Sequence, residues 1–188
     1  MGGTLNLAKE SFDLCEYLEN PPTESEQEYI ENSKYFTTIK DALWCNCCID
    51  LAKLYDHNPK NDIVRKNGSY AKIFNFLSML NALKNGKYPI EIDSIVIESW
   101  IEKINDNNNS INLLKEFRDK AYAHTEIHVF PEINFHELFR NIKLLFELAF
   151  NVFNFLWCEV LGRKISDLGF TVFNPSDFDL IRKLSECQ

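Results

Sequence analysis

A chain of 188 residues, 45% hydrophobic and 26% charged, has the composition of one globular domain and is too short to make two domains the default. Its formal net charge of −8 repels phosphate backbones at long range, so nucleic-acid binding would need a local basic patch, which counts against a general nucleic-acid coat protein. The start of the chain lacks a secretion signal, and the most apolar run carries Glu147 and Glu159, which are costly inside a bilayer. We therefore expect a cytoplasmic protein with no membrane segment.

The first predicted helix covers residues 24–56, where apolar residues recur every three or four positions. Thr23 followed by Glu26 has the spacing of a capping box, which places the helix start near residue 24. Pro59 and the polar residues around it end the pattern.

Two shorter helices are predicted next. Ser69 can cap the first of them, and the Asn-Gly pair at residues 85–86 ends it. The second follows Pro89. The polar run NDNNNS, residues 105–110, predicts a loop in which Ser110 caps the helix after it.

The longest apolar pattern, residues 136–161, predicts a long core helix that ends at Gly162. Its apolar surface is wider than one domain face needs, so we expect part of it to contact a second subunit. No segment alternates like a strand, which favours an all-α antiparallel bundle, with dimerisation expected. The predicted organisation is an N-terminal extension, the bundle, and a C-terminal extension with a short helix, at residues 1–23, 24–162 and 163–188.

The six cysteines lack the paired spacing of a zinc site: Cys15, Cys45, Cys47, Cys48, Cys158 and Cys187. Without a secretion signal, reduced buried thiols are the expected state. The sequence also lacks a P-loop and a glycine-rich nucleotide turn. We therefore predict no metal, no disulfide and no cofactor.

The helix before the long one carries FRDKAYAHTE, residues 117–126, with Arg118 and His124 six positions apart. On a straight α-helix such residues lie about 120° apart around the axis and about 9 Å apart along it. They can converge if the helix breaks at His124, or if two copies pack around a twofold axis. Spacing alone favours the ordinary interpretation, in which a cation near a helix C-terminus complements the helix dipole.

The whole string resembles the Arg-x(4–6)-His signature of HEPN domains (higher eukaryotes and prokaryotes nucleotide-binding), small helical bundles that pair into dimers. Residues 42–77, ALWCNCCIDLAKLYDHNPKNDIVRKNGSYAKIFNFL, look like the upstream helix, Asp-ended turn and following helix of the abortive-infection U-type branch, and RDKAYAHTE looks like its motif helix. The resemblance covers residues 42–160. It implies an HEPN-like antiparallel bundle that forms a homodimer.

The resemblance also implies a metal-independent endoribonuclease, used as a toxin in phage defence or in a toxin–antitoxin pair, with RNA as substrate and an antitoxin protein as a further candidate partner. A ribose 2′-hydroxyl would attack the neighbouring phosphorus and leave a 2′,3′-cyclic phosphate and a 5′-hydroxyl. His124 would transfer a proton, and Arg118 would stabilise the developing charge. Asp119 is assigned an orienting role, although it can instead face a helix end or Lys120 of the partner subunit.

Two other functions stay open. A non-catalytic dimeric module would use Arg118 and His124 as packing or hydrogen-bonding residues between subunits. A metal-dependent hydrolase would use His124 and His128, although HTEIH lacks the HExxH order and no third ligand is evident. The remaining histidines and late basic residues are expected as surface, capping or RNA-guiding residues: His57, His136, Arg140, Lys143, Arg163 and Lys164.

Overall fold

The computed structural model describes residues 1–57, 75–123, 135–164 and 179–185. Within these ranges the chain contains helices and no strand, so the predicted all-α fold is confirmed. The elements are α1 Gly2–Glu19, α2 Glu24–Glu31, α3 Lys34–Tyr55, α4 Phe76–Lys84, α5 Ser94–Asp106, α6 Asn108–Ala123, α7 Phe135–Asn154, a π-helical segment Phe155–Val160, and α8 Asp179–Ser185. None of the described helices is both long enough and apolar enough to cross a membrane.

Helix α1 lies in the segment that the sequence pattern assigns to an N-terminal extension. It packs along α3 and buries an apolar side made of Leu5, Ala8, Phe12, Cys15 and Leu18. The ring of Phe12 lies 5.1 Å from the rings of both Phe139 and Phe146 on α7. Helix α1 therefore belongs to the same core as α3 and α7.

Thr23 caps the start of α2 as predicted, although the Glu26 carboxylate contacts the Thr23 hydroxyl rather than the Thr23 backbone N–H of a full capping box. Thr23 Oγ1 accepts a hydrogen bond from the Glu26 backbone N–H at 3.2 Å and donates to the Glu26 carboxylate at 2.7 Å. The hydroxyl of Tyr17 donates to the other carboxylate oxygen at 2.9 Å. These contacts satisfy a carboxylate that is 1% exposed, which is a requirement for burying it.

The prediction of one helix over residues 24–56 is wrong, because α2 ends at Glu31 and α3 begins at Lys34. Ser33 has an extended backbone and serves as the N-cap of α3. The break falls at Asn32 and Ser33, residue types that are favoured at helix ends, although the Ser33 side chain makes no capping hydrogen bond.

The predicted start of the next helix at Ser69 lies outside the described residues. Helix α4 begins at Phe76, where the Asn75 side chain accepts a hydrogen bond from the Ser78 backbone N–H at 2.8 Å. Its predicted end is confirmed, since Gly86 adopts a φ of +64°, a conformation that glycine tolerates without strain.

The predicted loop at residues 105–110 is also wrong. Only Asn107 separates α5 from α6, and Ser110 lies within α6 rather than capping it. Its hydroxyl donates to the Asn141 side chain on α7 at 2.9 Å. Burial of Ile104 and Ile111 on either side of Asn107 favours helix here more than the asparagines oppose it, because tertiary packing supplies most helix stability.

The predicted long helix forms α7 and continues as the π-helical segment until Gly162, whose φ is +62°. Its apolar face is buried within the single chain: Leu138, Ile142, Leu145, Phe146, Ala149, Val152, Phe153, Phe155, Leu156 and Val160. Leu144, which is 45% exposed, is the large aliphatic residue of α7 that faces solvent. The apolar surface from which a second subunit was inferred is therefore largely used inside one chain, and the dimer stays a prediction.

Candidate functional site

Arg118 lies on α6 at the boundary between the buried side of this helix and its exposed side. Leu114 and Phe117 are buried, and the Phe117 ring packs against the Trp44 ring of α3 at a centroid distance of 6.4 Å. Because successive helical residues point about 100° apart, an anchored Phe117 fixes the direction in which Arg118 leaves the helix. The Arg118 side chain is 19% exposed and lies beside the C-terminal end of α3.

The other side of the site is Asp56, which follows the last residue of α3. Tyr55 is buried and donates its hydroxyl hydrogen to the backbone carbonyl of Leu145 on α7 at 2.5 Å. Its ring also meets the ring of Phe76 on α4 at 5.6 Å. These contacts hold the end of α3 in place, so that the Asp56 side chain reaches α6.

Arg118 is clamped by two carboxylates. Its Nη1 donates to Asp56 Oδ2 at 2.9 Å, and its Nε donates to Asp119 Oδ1 at 2.9 Å. Nη2 lies 2.8 Å from the same Asp119 oxygen. A guanidinium carries five N–H groups, and within the described part of the chain these contacts use one on each nitrogen. Each Nη therefore keeps one N–H for a further acceptor.

The two carboxylates also fix the charge of Arg118. Burial lowers the pKa of the guanidinium, but the hydrogen bonds to Asp119 and Asp56 outweigh it, and the pKa lies above its ordinary value. Arg118 is therefore cationic at every working pH. A fixed positive charge on a planar fork of N–H donors is suited to the non-bridging oxygens of a phosphodiester.

Lys115 is the second cation of the site. It precedes Arg118 by one helical turn, so both side chains lie on the same side of α6. Its Nζ lies 3.6 Å from Asp56 Oδ1, whereas Arg118 contacts Oδ2. Asp56 thus joins the end of α3 to two positions of α6. The cluster of Asp56, Lys115, Arg118 and Asp119, here called the clamp cluster, contains two cations and two carboxylates and is formally neutral.

The structure brings together two of the three predicted site residues. Arg118 and Asp119 are in contact, whereas His124 lies outside the described residues, as does His128. Helix α6 extends to Ala123. The contacts of Asp56 and Lys115 with this site were not predicted. An acidic residue ending the upstream helix and a lysine one turn before the arginine are the sequence signals for them.

Three of the described cysteines, Cys15, Cys45 and Cys48, are unfavourable as reactive thiols. Burial raises the pKa of Cys15 to about 12, and it also raises the pKa values of Cys45 and Cys48. A thiol with a raised pKa is a poor nucleophile and a poor metal ligand at neutral pH. Among the described residues, no group of three His, Cys, Asp or Glu side chains is arranged to hold a metal ion.

The basic residues beyond the clamp cluster have contacts of their own. Lys143 pairs with Glu16 of α1 at 3.0 Å. The Arg163 guanidinium lies 5.4 Å from the ring centroid of Trp157, and the Trp157 indole N–H donates to the Lys164 carbonyl at 3.0 Å. His57 is half-buried after the end of α3, and its backbone N–H donates to the Tyr55 carbonyl at 2.9 Å.

Comparison with known families places this geometry in context. The sequence model of the AbiU2 family of HEPN domains matches residues 4–166 of the 188-residue chain. The chain belongs to the HEPN AbiU2 family. The match extends beyond the resemblance at residues 42–160 and takes in α1 and α2, in agreement with the packing of α1 into the core. Neither a curated protein nor a solved structure matched the chain.

Membership of this family confirms the predicted HEPN-like bundle. The motif RDKAYAH of this AbiU2 chain begins at the clamped Arg118, near the C-terminal end of α6. Within the described residues, RDKAYAH and the clamp cluster therefore share two side chains, Arg118 and Asp119.

Proposed function

We propose that this HEPN AbiU2 protein is a metal-independent endoribonuclease, acting as a toxin in phage defence or in a toxin–antitoxin pair. The RNA 2′-hydroxyl attacks the adjacent phosphorus, a new P–O2′ bond forms and the P–O5′ bond breaks. The proton of the 2′-hydroxyl leaves to a base, and the departing O5′ takes a proton. The products are a 2′,3′-cyclic phosphate and a 5′-hydroxyl.

The state of Arg118 is the observation that carries this proposal. It stands at the arginine of the family motif, it is held by Asp56 and Asp119, and each Nη retains an N–H within the described contacts. Asp119 fixes the Nε edge of Arg118 whether or not Asp56 stays in contact, so the arginine can stabilise charge on the phosphorane oxygens without reorganising at the moment of reaction. Asp119 then has an orienting role, because it holds the Nε edge of the guanidinium and leaves the Nη groups to the substrate.

His124 is proposed as the proton-transfer residue, because its ordinary pKa lies near working pH. The intramolecular nucleophile makes a metal unnecessary for positioning the attacking oxygen. We further propose that two subunits pair and contribute their Arg118 and His124 residues to a shared cleft. This dimer rests on the geometry of the motif rather than on the apolar face of α7. Light scattering at micromolar concentration tests it, and a monomer would contradict it.

The catalytic assignment is tested by cleavage of a fluorescent RNA oligonucleotide. Arg118→Ala should lower the rate about 10²–10³-fold through lost charge stabilisation, and His124→Ala should lower it about 10²–10⁴-fold. Arg118→Lys keeps the charge and loses the planar fork, so it should also cleave poorly. Arg182→Ala removes the same charge from an exposed position of α8 and is the matched control, with a rate near wild type.

A non-catalytic interaction module is the second candidate, and the ion pairs themselves favour it, because they join α3 to α6 with or without a substrate. In that case Arg118→Ala removes only the ion pairs with Asp56 and Asp119. Since Asp56 is 50% exposed, their loss should cost about 0.2–1 kcal/mol of unfolding free energy, as surface pairs do. Equal RNA cleavage by wild type, Arg118→Ala and His124→Ala would refute the catalytic assignment.

A further inference from the structure

The Asp56 carboxylate is held by two cations in the way that a phosphodiester can be held. One oxygen lies 2.9 Å from Arg118 Nη1, and the other lies 3.6 Å from Lys115 Nζ. A phosphodiester also presents two non-bridging oxygens that share one negative charge. A group that replaced the Asp56 carboxylate between these side chains would meet the same pair of cations.

The exposures of the three side chains show which of them can be displaced. Asp56 is 50% exposed, whereas Lys115 is 26% exposed and Arg118 is 19% exposed. The cations are recessed beside the buried Leu114 and Phe117, and the carboxylate is the outermost of the three groups. Moving it away therefore uncovers the two cations without opening the core.

The position of Asp56 at the end of α3 also weakens its hold on the site between Lys115 and Arg118. It caps the C-terminal end of α3, where the helix dipole is negative and a carboxylate is disfavoured. Its two cationic neighbours offset this disadvantage. A phosphodiester entering from solvent has no such dipole against it, so it can compete for the same cations.

We propose that Lys115 is a second phosphate-binding residue, and that Lys115 and Arg118 together bind one RNA phosphodiester in the place that Asp56 occupies in the free protein. This assignment rests on the proposed ribonuclease function for the identity of the ligand. In the free protein the clamp cluster is formally neutral, and movement of Asp56 out of the site leaves a local excess of positive charge. The chain, at −8 overall, thereby acquires a cationic site at the scissile phosphate.

Binding is measured by fluorescence anisotropy with a 2′-O-methylated RNA oligonucleotide. The methyl group blocks the nucleophile, so affinity is measured without cleavage. Lys115→Gln should weaken binding about tenfold and reduce the slope of log affinity against log salt by about 0.7, the value for one phosphate contact on a single strand. Lys115→Arg should retain most of the affinity. Thermal melting of each variant checks that it is folded.

The matched control for Lys115 is Lys120→Gln. Lys120 lies on the same helix and is also paired with a carboxylate, that of Glu116 at 2.7 Å, so the substitution removes the same charge without touching Asp56. We expect less than a twofold change in affinity. If Lys115→Gln and Lys120→Gln weakened binding equally, Lys115 would have only a general electrostatic effect and its assignment would be overturned.

Asp56→Asn tests the displacement directly. Removing the competing charge should strengthen binding about tenfold. Asp50→Asn is its control, because Asp50 lies on α3, the helix that Asp56 caps, and pairs with Lys53 at 2.6 Å, and it should change affinity less than twofold. Weaker binding by Asp56→Asn, or equal effects of both changes, would overturn the displacement.

Different results would refute the phosphate-binding site and the ribonuclease function. If Lys115→Gln matches Lys120→Gln while Arg118→Ala and His124→Ala abolish cleavage, the phosphate site is wrong and the ribonuclease function stands. If the wild type neither binds the methylated RNA nor cleaves the unmodified one, both are refuted.

Discussion

Removal of the Tyr55 hydroxyl is expected to destabilise the protein by about 1 kcal/mol, the net value of one buried hydrogen bond. Tyr55→Phe deletes the bond to the Leu145 carbonyl at 2.5 Å and leaves the ring against Phe76. Leu145 lies inside α7, so its carbonyl can still accept the helical N–H of the next turn. The Leu145 carbonyl therefore keeps a hydrogen-bond donor in the variant. The loss of unfolding free energy should stay near the value for one hydrogen bond, below the larger penalty for a buried polar group without a partner.

The loss should appear as a fall in melting temperature of about 2–4 °C, the shift that 1 kcal/mol produces in a domain of this size. Tyr35→Phe is the control, because it makes the same chemical change at a residue that is 82% exposed, and it should leave the melting temperature unchanged. Burial raises the pKa of Tyr55 well above its ordinary value. The difference between wild type and Tyr55→Phe should therefore be constant below about pH 10 and shrink as the pH rises toward the folded-state pKa. Equal melting temperatures for Tyr55→Phe and Tyr35→Phe would refute the anchoring of α3 by this bond.

Two further predictions concern the core. Phe12→Ala should lower the free energy of unfolding by about 3–5 kcal/mol, as loss of a buried aromatic ring does. Leu7→Ala, at a residue of α1 that is 56% exposed, should change it by no more than about 0.5 kcal/mol. Urea unfolding measures both variants, and equal effects would show that α1 is not part of the cooperative core. Because burial raises the pKa of Cys15 from 9.0 to about 12, its thiol contributes stability that is present below pH 9 and is lost as the pH rises through the folded-state value. The slope of unfolding free energy against pH between 9 and 12 should be shallower in Cys15→Ala, and an unchanged slope would contradict this origin.

The elements predicted correctly from the sequence depend on local signals. Thr23 caps α2 and contacts Glu26 because the two residues are three positions apart, and Gly86 and Gly162 end helices because glycine adopts positive φ readily. The errors come from packing that local patterns do not show. Asn107 is the single residue between α5 and α6, and the asparagines next to it lie within these helices, because Ile104 and Ile111 are buried. The polar residues alone predicted a loop there.

Helix α1 and the partners of Arg118 were missed for two different reasons. The helical spacing of Leu5, Ala8, Phe12 and Cys15 is the signal in the sequence that indicates α1. The contact between Asp56 and Arg118 joins residues 62 positions apart. Its formation depends on how the flanking aromatic residues pack, which no spacing rule predicts. The sequence motif was sufficient to identify Arg118, whereas its contact with Asp56 is evident only from the folded structure.

We propose that the HEPN AbiU2 chain cleaves RNA through the substrate's own 2′-hydroxyl, without a metal. The most direct measurement compares one RNA oligonucleotide with the same oligonucleotide containing 2′-deoxyribose at the cleaved position, both incubated with the purified protein in EDTA, with mass spectrometry of the products. We expect the RNA to be cut to a 2′,3′-cyclic phosphate and a 5′-hydroxyl, and the deoxy-substituted strand to remain intact at that position. An intact RNA in EDTA that is cut when zinc is added, or cleavage at the deoxy position, would contradict the account.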